Sequence, residues 1–421
     1  MGMETTNKAE KKKILIFVPE FPVLTETFIE RDISKLIQND KLDISILAMK
    51  KGSGSMTAVV EKHFSKSRLT ILDSFMAGFF FITKPGLTFK AYRLVLKDKS
   101  KSLLGRIYLF LKSVGYTKVF QKHHPDEIHA HFLSDPSTIA MVASIILQIP
   151  FSINAHARDV TEYPTLPGEK IKNAKFVSVC NSNAYNKILR LAQPKGSETF
   201  EFAGNLASKI KLIRHGIDEN EIFSVPLELK KAARPMIISG GTRLVAKKGL
   251  EYLIGASEIL KKRGISHELH ITGPGNLYGQ LTDMLKKRGL EDMVFIHGDG
   301  KGVPFSLISQ YYRVADVLVL PSIDLDSGDA DGIPNALIEA SLAKLAIVTT
   351  DAGSITELIE TGVNGILVPQ KNSEAIATEI EKLIFDENKR HELGENAYKK
   401  AKEMFDTEKN VGELANLFII S

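Results

Sequence analysis

The chain has 421 residues, 43% of them hydrophobic and 25% charged, which suits two globular domains of about 200 residues each and excludes a disordered or fibrous chain. Its one cysteine, Cys180, excludes an internal disulfide and a cysteine-rich zinc site, and the apolar run 176–180 around it reads as core. The net charge of +5 divides unevenly: residues 1–228 carry 32 basic and 23 acidic side chains, residues 229–421 carry 23 and 27.

Residues 1–13 are polar and the apolar run 14–18 is too short for a signal core; 1–12 reads as a basic leader. Strand-like runs follow at 14–18, 44–48, 127–132, 151–155, 175–179 and 211–214, with helical stretches between them. A second set lies at 236–239, 268–272, 293–297, 316–320, 346–350 and 365–368. Continuous apolar strands separated by helices point to parallel sheets covered on both faces. The expected class is α/β: two doubly wound Rossmann-like domains facing across a cleft, 13–228 and 229–400. Prolines and a lysine-rich patch at 223–235 suggest the boundary, and 401–421 is expected to be a helix crossing back to the first domain.

Residues 74–125 hold ten basic side chains against one acid, Asp98, and ten aromatic rings. Such segments lie on anionic membranes, or bury their rings in an ordinary domain; both readings stand, and no recognition motif adds nucleic acid to them. The longest apolar run, 76–82, is far short of the ~20 residues that span a bilayer. A cytoplasmic protein is expected, with a peripheral position on the inner face of the cell membrane as a variant.

Further along, His129 and His131 alternate on one strand and share a face, without a third metal ligand beside them. His156 ends a strand, where α/β proteins bind ligands. The loop 240–249, G-G-T-R-L-V-A-K-K-G, leaves the first strand of the second domain and aims Arg243 and Lys248 at the cleft, where two cations can meet an anionic group. Lys247 is expected to diverge from its neighbour.

Residues 329–357 combine an acidic loop, a glycine turn, a helix start and a buried strand. Gly332 frees the backbone, Pro334 suits the first helical turn, and Asn335 opens the helix that carries Glu339. A carboxylate at the loop end, Asp331, and another one to two turns down the helix can each accept hydroxyl hydrogen bonds. A calcium loop fails on register: with Gly332 at its sixth position, Ile338 occupies the twelfth and Glu339 misses by one.

This stretch resembles the acidic donor-site motif of family 4 of the retaining glycosyltransferases, which have the GT-B fold and use nucleotide sugars. Gly332, Ile333, Pro334 and Glu339 match, and Asp331 replaces the family's first glutamate with a shorter carboxylate. The start 22–29, P-V-L-T-E-T-F-I, is similar to family members that build exopolysaccharides, capsules and colanic acid. Physically it is a strand end before a helix, with Thr27 and Glu30 as a capping box. Pro19-Glu20-Phe21-Pro22 stands where the family often has a glycine-rich loop. His156 resembles the family histidine beside the donor sugar. Gly273 resembles its glycine turn near the nucleotide, and His215 to Asp218 resembles the segment closing the first domain, with Gly216 allowing a tight turn. Residues 403–410 resemble the crossing helix, with Thr407 in place of an aromatic and hence a looser contact.

The resemblance implies a retaining transfer from a nucleoside-diphosphate sugar to a saccharide or polyprenyl-linked acceptor, in surface polysaccharide or glycolipid assembly, with no metal or other cofactor. Arg243 and Lys248 would hold the diphosphate, Glu339 the ribose, Asp331 and the amides around Gly332, Ile333 and Asn335 the sugar, and His156 the sugar edge. A non-catalytic sugar-nucleotide-binding protein and a sugar-nucleotide epimerase of the same fold are the alternatives.

Overall fold

The computed structural model describes residues 10–23, 26–67, 69–70, 77–156, 159–160, 164–192, 206–231, 233–327 and 331–420. It divides into two compact units, residues 1–216 with 407–421, and residues 217–406. The division therefore precedes the expected boundary at 228. Ile217 and Ile222 are buried in the second unit's core, so apolar side chains, not the proline-rich stretch, decide it. Most of the expected leader lies outside the described residues; its last residue, Lys12, already begins a strand.

The first unit is built on a seven-stranded sheet of order β3-β2-β1-β4-β5-β6-β7 with every pairing parallel. Its strands are β1 (Lys12–Phe21), β2 (Leu42–Lys51), β3 (Phe64–Lys66), β4 (Glu127–His131), β5 (Phe151–Ala155), β6 (Val177–Val179) and β7 (Ile210–Leu212). Along β1 the side chains alternate, Ile14, Ile16 and Val18 entering one core layer and Leu15 and Phe17 the other. That is why the strand reads as continuously apolar.

Helix α1 (Thr27–Ile37) covers the first of these layers. It has no side-chain cap: Thr27 is already helical and Glu30 accepts the Thr57 N–H at 2.7 Å, so the expected capping box is not formed. The C-terminal helix Thr407–Ile419 packs beside it, burying Val411, Leu414 and Phe418. A side chain at Gly216 would meet Thr407 Oγ1 at 2.4 Å. Contact at Thr407 is thus tight rather than loose, and Gly216 is needed for that approach, since its φ is not positive.

On the opposite face lie α2 (Ala77–Thr83), α3 (Pro85–Leu96), α4 (Leu103–Lys122) and α5 (Asp135–Leu147). The rings of segment 74–125 divide between core and surface. Phe80, Phe110, Tyr116 and Phe120 enter the core, whereas Phe79, Phe81, Phe89 and Tyr108 remain exposed. Among the described residues no helix is long and apolar enough to cross a membrane.

The second unit holds a parallel six-stranded sheet of order β10-β9-β8-β11-β12-β13. It comprises β8 (Met236–Ser239), β9 (Glu268–Thr272), β10 (Val294–His297), β11 (Val317–Leu320), β12 (Ala346–Thr350) and β13 (Ile366–Val368). Helices α6 (Leu250–Lys262), α7 (Phe305–Val314) and α8 (Asn335–Leu342) follow β8, β10 and β11 in the chain. In each sheet the strand order reverses once, between β1 and β4 and between β8 and β11. Ligands of such folds bind at the strand ends beside that reversal.

Candidate functional site

In the second unit the loops after β8 and β11 meet at the reversal point. Gly249, at φ +59°, lies so close to Pro321 that an added Cβ would stand 2.1 Å from its carbonyl oxygen. Ile323 N–H donates to Lys247 O at 2.8 Å and completes the join. Gly273 and Gly275 serve a similar close approach, since a Cβ at either would strike Thr242 O or Leu244 O. Gly273 therefore supports the loop that carries Arg243. The Arg243 side chain is exposed and makes no ion pair or hydrogen bond among the described residues.

Asp331 joins this corner as a carboxylate only 9% exposed. Lys248 Nζ donates to Oδ2 at 2.7 Å, Ser322 Oγ donates to the same oxygen at 2.9 Å, and Lys247 Nζ lies 3.7 Å from Oδ1. The expected divergence of the two lysines is overturned. They sit in a 3-10 turn, Ala246–Lys248, and reach the two oxygens of one carboxylate. Burial alone would raise the Asp331 pKa, but Lys248, Lys247 and the Ser322 hydroxyl together hold it below the usual range. Sequence reasoning gave Lys248 and Asp331 separate tasks; the structure pairs them.

Gly332 to Pro334 turn the chain into α8, with Ile333 packed against the apolar core and Asn335 as the first helical residue. One turn on, Glu339 is buried and its Oε2 accepts the Tyr312 hydroxyl at 3.2 Å, a hydroxyl also 3.2 Å from Gly240 O. Burial, then the Glu339 charge and hydrogen bond, hold the Tyr312 pKa far above its ordinary value, so the phenol stays a donor. Gly241, at φ +63°, crosses this pair with no side chain to obstruct it: a Cβ would lie 2.7 Å from Tyr312 OH and 3.3 Å from Glu339 Oε2. Asp324 is exposed and accepts from Gly353 N–H and Gln370 Nε2.

The first unit gathers its histidines at the ends of β4 and β5. His156 stacks between His131 and His215, with centroids 5.5 and 5.3 Å away, and its Nε2 is 3.3 Å from His131 Nδ1. Burial first, and then the neighbouring imidazoles, keep His131 and His156 neutral. His215 is the exception. Burial would lower it too, but Asp32, whose Oδ2 is 2.7 Å from its Nδ1, raises it to about 10.

His129 shares a face with His131, as expected, but bonds to Ser152, which donates to Glu127. Its place is structural. The loops behind the cluster are tied by Asp159, which accepts the His156 and Leu133 N–H groups, and by Lys170, which donates to Leu133 O, Ser134 O and Thr165 Oγ1. Cys180 is half-buried rather than a full core residue.

Residues 227–400, which contain the whole of the Lys248–Asp331 and Tyr312–Glu339 arrangement, match the family described as Glycosyl transferases group 1. Residues 227–400 are thus a group 1 glycosyltransferase domain. This glycosyltransferase is 28% identical over 389 residues to the amylovoran biosynthesis glycosyltransferase AmsK of Erwinia amylovora, covering 87% of the chain and 89% of that protein. It is 27% identical over 388 residues to the putative colanic acid biosynthesis glycosyltransferase WcaL of Salmonella typhimurium, with the same coverage of 87% and 89%. Among solved structures it resembles Anabaena Alr3699/HepE in complex with UDP, with a TM-score of 0.67, 18% identity, and 97% and 100% of the two chains covered. That likeness shows the fold, GT-B.

Several residues of the site carry no mark in the sequence of this glycosyltransferase. Tyr312 could have been found as a buried tyrosine in need of a partner, one turn from Ile308 on the apolar face of α7. Ser322, Asp32 and Lys170 gave no such signal, because their partners are distant in the chain.

Proposed function

We propose that this glycosyltransferase is a retaining, family 4-like enzyme that takes a sugar from a nucleoside diphosphate and passes it to a saccharide or polyprenyl-linked hydroxyl in surface-polysaccharide assembly. The observation that carries the donor reading is the corner at the β8–β11 reversal. There two lysines and a serine converge on Asp331, with Glu339 held as an acceptor by Tyr312. Such a corner can offer cations to a diphosphate and carboxylates to hydroxyls without a metal. Arg243 and Lys248 are assigned to the diphosphate, Glu339 to the ribose and Asp331 to the sugar. Lys248 would exchange Asp331 for a phosphate oxygen when donor arrives. The departing diphosphate then takes the acceptor's proton, and the new bond forms on the face it leaves. His156 is the first unit's contribution to this reading.

AmsK and WcaL, named for amylovoran and colanic acid biosynthesis, support the saccharide class, and the HepE complex with UDP supports a nucleotide-sugar donor. A peripheral position on the inner face of the cell membrane belongs to the same proposal. Incubation with a panel of nucleotide sugars, with released nucleotide and sugar followed by NMR, tests it. Slow donor hydrolysis giving the sugar first in the donor's own anomeric configuration is the expected result. An inverted first product would remove the retaining assignment. A modified nucleotide sugar formed without acceptor would identify an epimerase, and binding without turnover a sugar-nucleotide-binding protein.

A further inference from the structure

We propose that the outer faces of α2, α3 and α4 form a docking surface for an anionic lipid bilayer. This refines the peripheral position proposed above, yet it does not depend on the transfer chemistry. Helix α4 presents Leu104, Tyr108 and Leu111 at the i, i+4, i+7 spacing of one stripe, continued by Lys118 and Lys122. These are not marginal exposures: Leu104 is 79% and Tyr108 67% exposed, and Ile82 at the end of α2 is 82%. Soluble monomers seldom leave so much apolar surface together.

Ring contacts join α2 to this stripe. Lys118 Nζ lies 5.4 Å from the centroid of Phe79, and Phe81 packs 6.0 Å from Phe110 of α4. Helix α3 adds exposed Phe89, Lys90 and Arg93. Apolar side chains and cations thus alternate on the outer faces of neighbouring helices. In a bilayer interface the rings and aliphatic groups enter the headgroup boundary while ammonium and guanidinium groups meet lipid phosphates.

Charge names the occupant. Residues 77–125 hold ten basic side chains and one acid, Asp98. Asp98 is buried and accepts the Ser100 N–H and hydroxyl, so it offers no repulsion to an anionic surface. Lys97 and Lys101 pair with Glu169 and Asp135, and Lys84 and Arg106 donate to backbone carbonyls; of the rest, Lys90, Arg93, Lys99, Lys118 and Lys122 are the docking charges. A second copy of the chain would set like charges against each other in a two-fold contact. Nucleic acid would use the cations but offers nothing to Ile82, Leu104 or Leu111.

Co-sedimentation of the full chain with phosphatidylcholine vesicles, and with vesicles containing about 30% phosphatidylglycerol, tests the proposal. Binding should require phosphatidylglycerol and fall about tenfold between low salt and ~0.5 M salt, where screening shortens to a few ångströms. Lys90→Glu with Arg93→Glu and Lys118→Glu should abolish it, as should Ile82→Ser with Leu104→Ser. Both variants should keep the parent's melting temperature and its donor hydrolysis, which separates loss of docking from loss of fold or catalysis. Equal binding to both vesicles, binding to neither, or survival of the charge reversal would overturn the proposal. So would tighter binding to a duplex oligonucleotide, or a concentration-dependent dimer that the serine variant dissolves.

Discussion

His215 Nδ1 stands 2.7 Å from Asp32 Oδ2, while the ring of His215 stacks on that of His156 at 5.3 Å. One imidazole held charged by a carboxylate therefore lies against one that burial keeps neutral. Because the folded His215 value, about 10, exceeds the ordinary 6.5, the stabilisation is complete below pH 6.5 and is lost as pH rises through about 10. Asp32→Asn should cost about 3 kcal/mol at neutral pH, as breaking a buried pair does. In thermal melts the gap from the parent should narrow towards pH 10. A gap that widened with pH would contradict the pairing.

The acid side has the opposite sign. His129 is lowered to about 3 by burial, and His131 and His156 are lowered well below the ordinary value. Their neutral rings favour the fold above pH 6.5, and this is lost as pH falls towards their folded values. At pH 5 the neutral His129 ring costs about 2 kcal/mol relative to pH 7. His129→Gln should flatten the fall in melting temperature between pH 7 and 5, provided the Ser152 contact is kept.

Lys248→Ala and Arg243→Ala should each lower turnover about a hundredfold, the usual loss of a donor that stabilises transition-state charge. Since Lys247 also faces Asp331, at 3.7 Å, Lys247→Ala should fall between these and the parent, near tenfold. Steady-state kinetics decide the order. If Lys247→Ala matched the parent, its place in the charge cluster would be only structural.

Asp331→Glu keeps the charge and should retain most activity, whereas Asp331→Asn leaves Lys248 buried without its counter-charge and should lose about tenfold in donor affinity. Glu339→Gln should weaken donor binding in calorimetry while the fold survives. Gly241→Ala should do the same through sterics, because its Cβ would stand 2.7 Å from Tyr312 OH. Unchanged affinity in Glu339→Gln would remove the ribose assignment.

The strands were legible because both faces of each sheet are covered, which gives β1 and β11 unbroken apolar runs. β3 was not, since Phe64–Lys66 is a three-residue edge strand with no such run. Arg243, Lys248, Asp331 and Glu339 could be picked by charge and loop position. Their pairings could not, because Asp331 meets Lys248 across 83 residues. The two lysines misled for a local reason: a 3-10 turn around one carboxylate lets neighbours converge. Gly216 suggested a turn, and only the fold reveals Thr407 opposite it, 191 residues away in the chain.

The helix Thr407–Ile419 bears on how this protein is made. Its Phe418 packs 4.9 Å from His129, and the Phe418 carbonyl accepts from both Lys12 and Lys175. A ribosome that has delivered residues 1–216 has therefore not delivered everything the first unit needs. Until residues 407–419 emerge, the layer around Ile14, Ile16 and Ile44 lacks Val411, Leu414 and Phe418. The nascent first unit must wait with a greasy flank open while the second unit is translated and folds. A stalled or prematurely stopped message would leave that flank bare for chaperones and proteases to recognise.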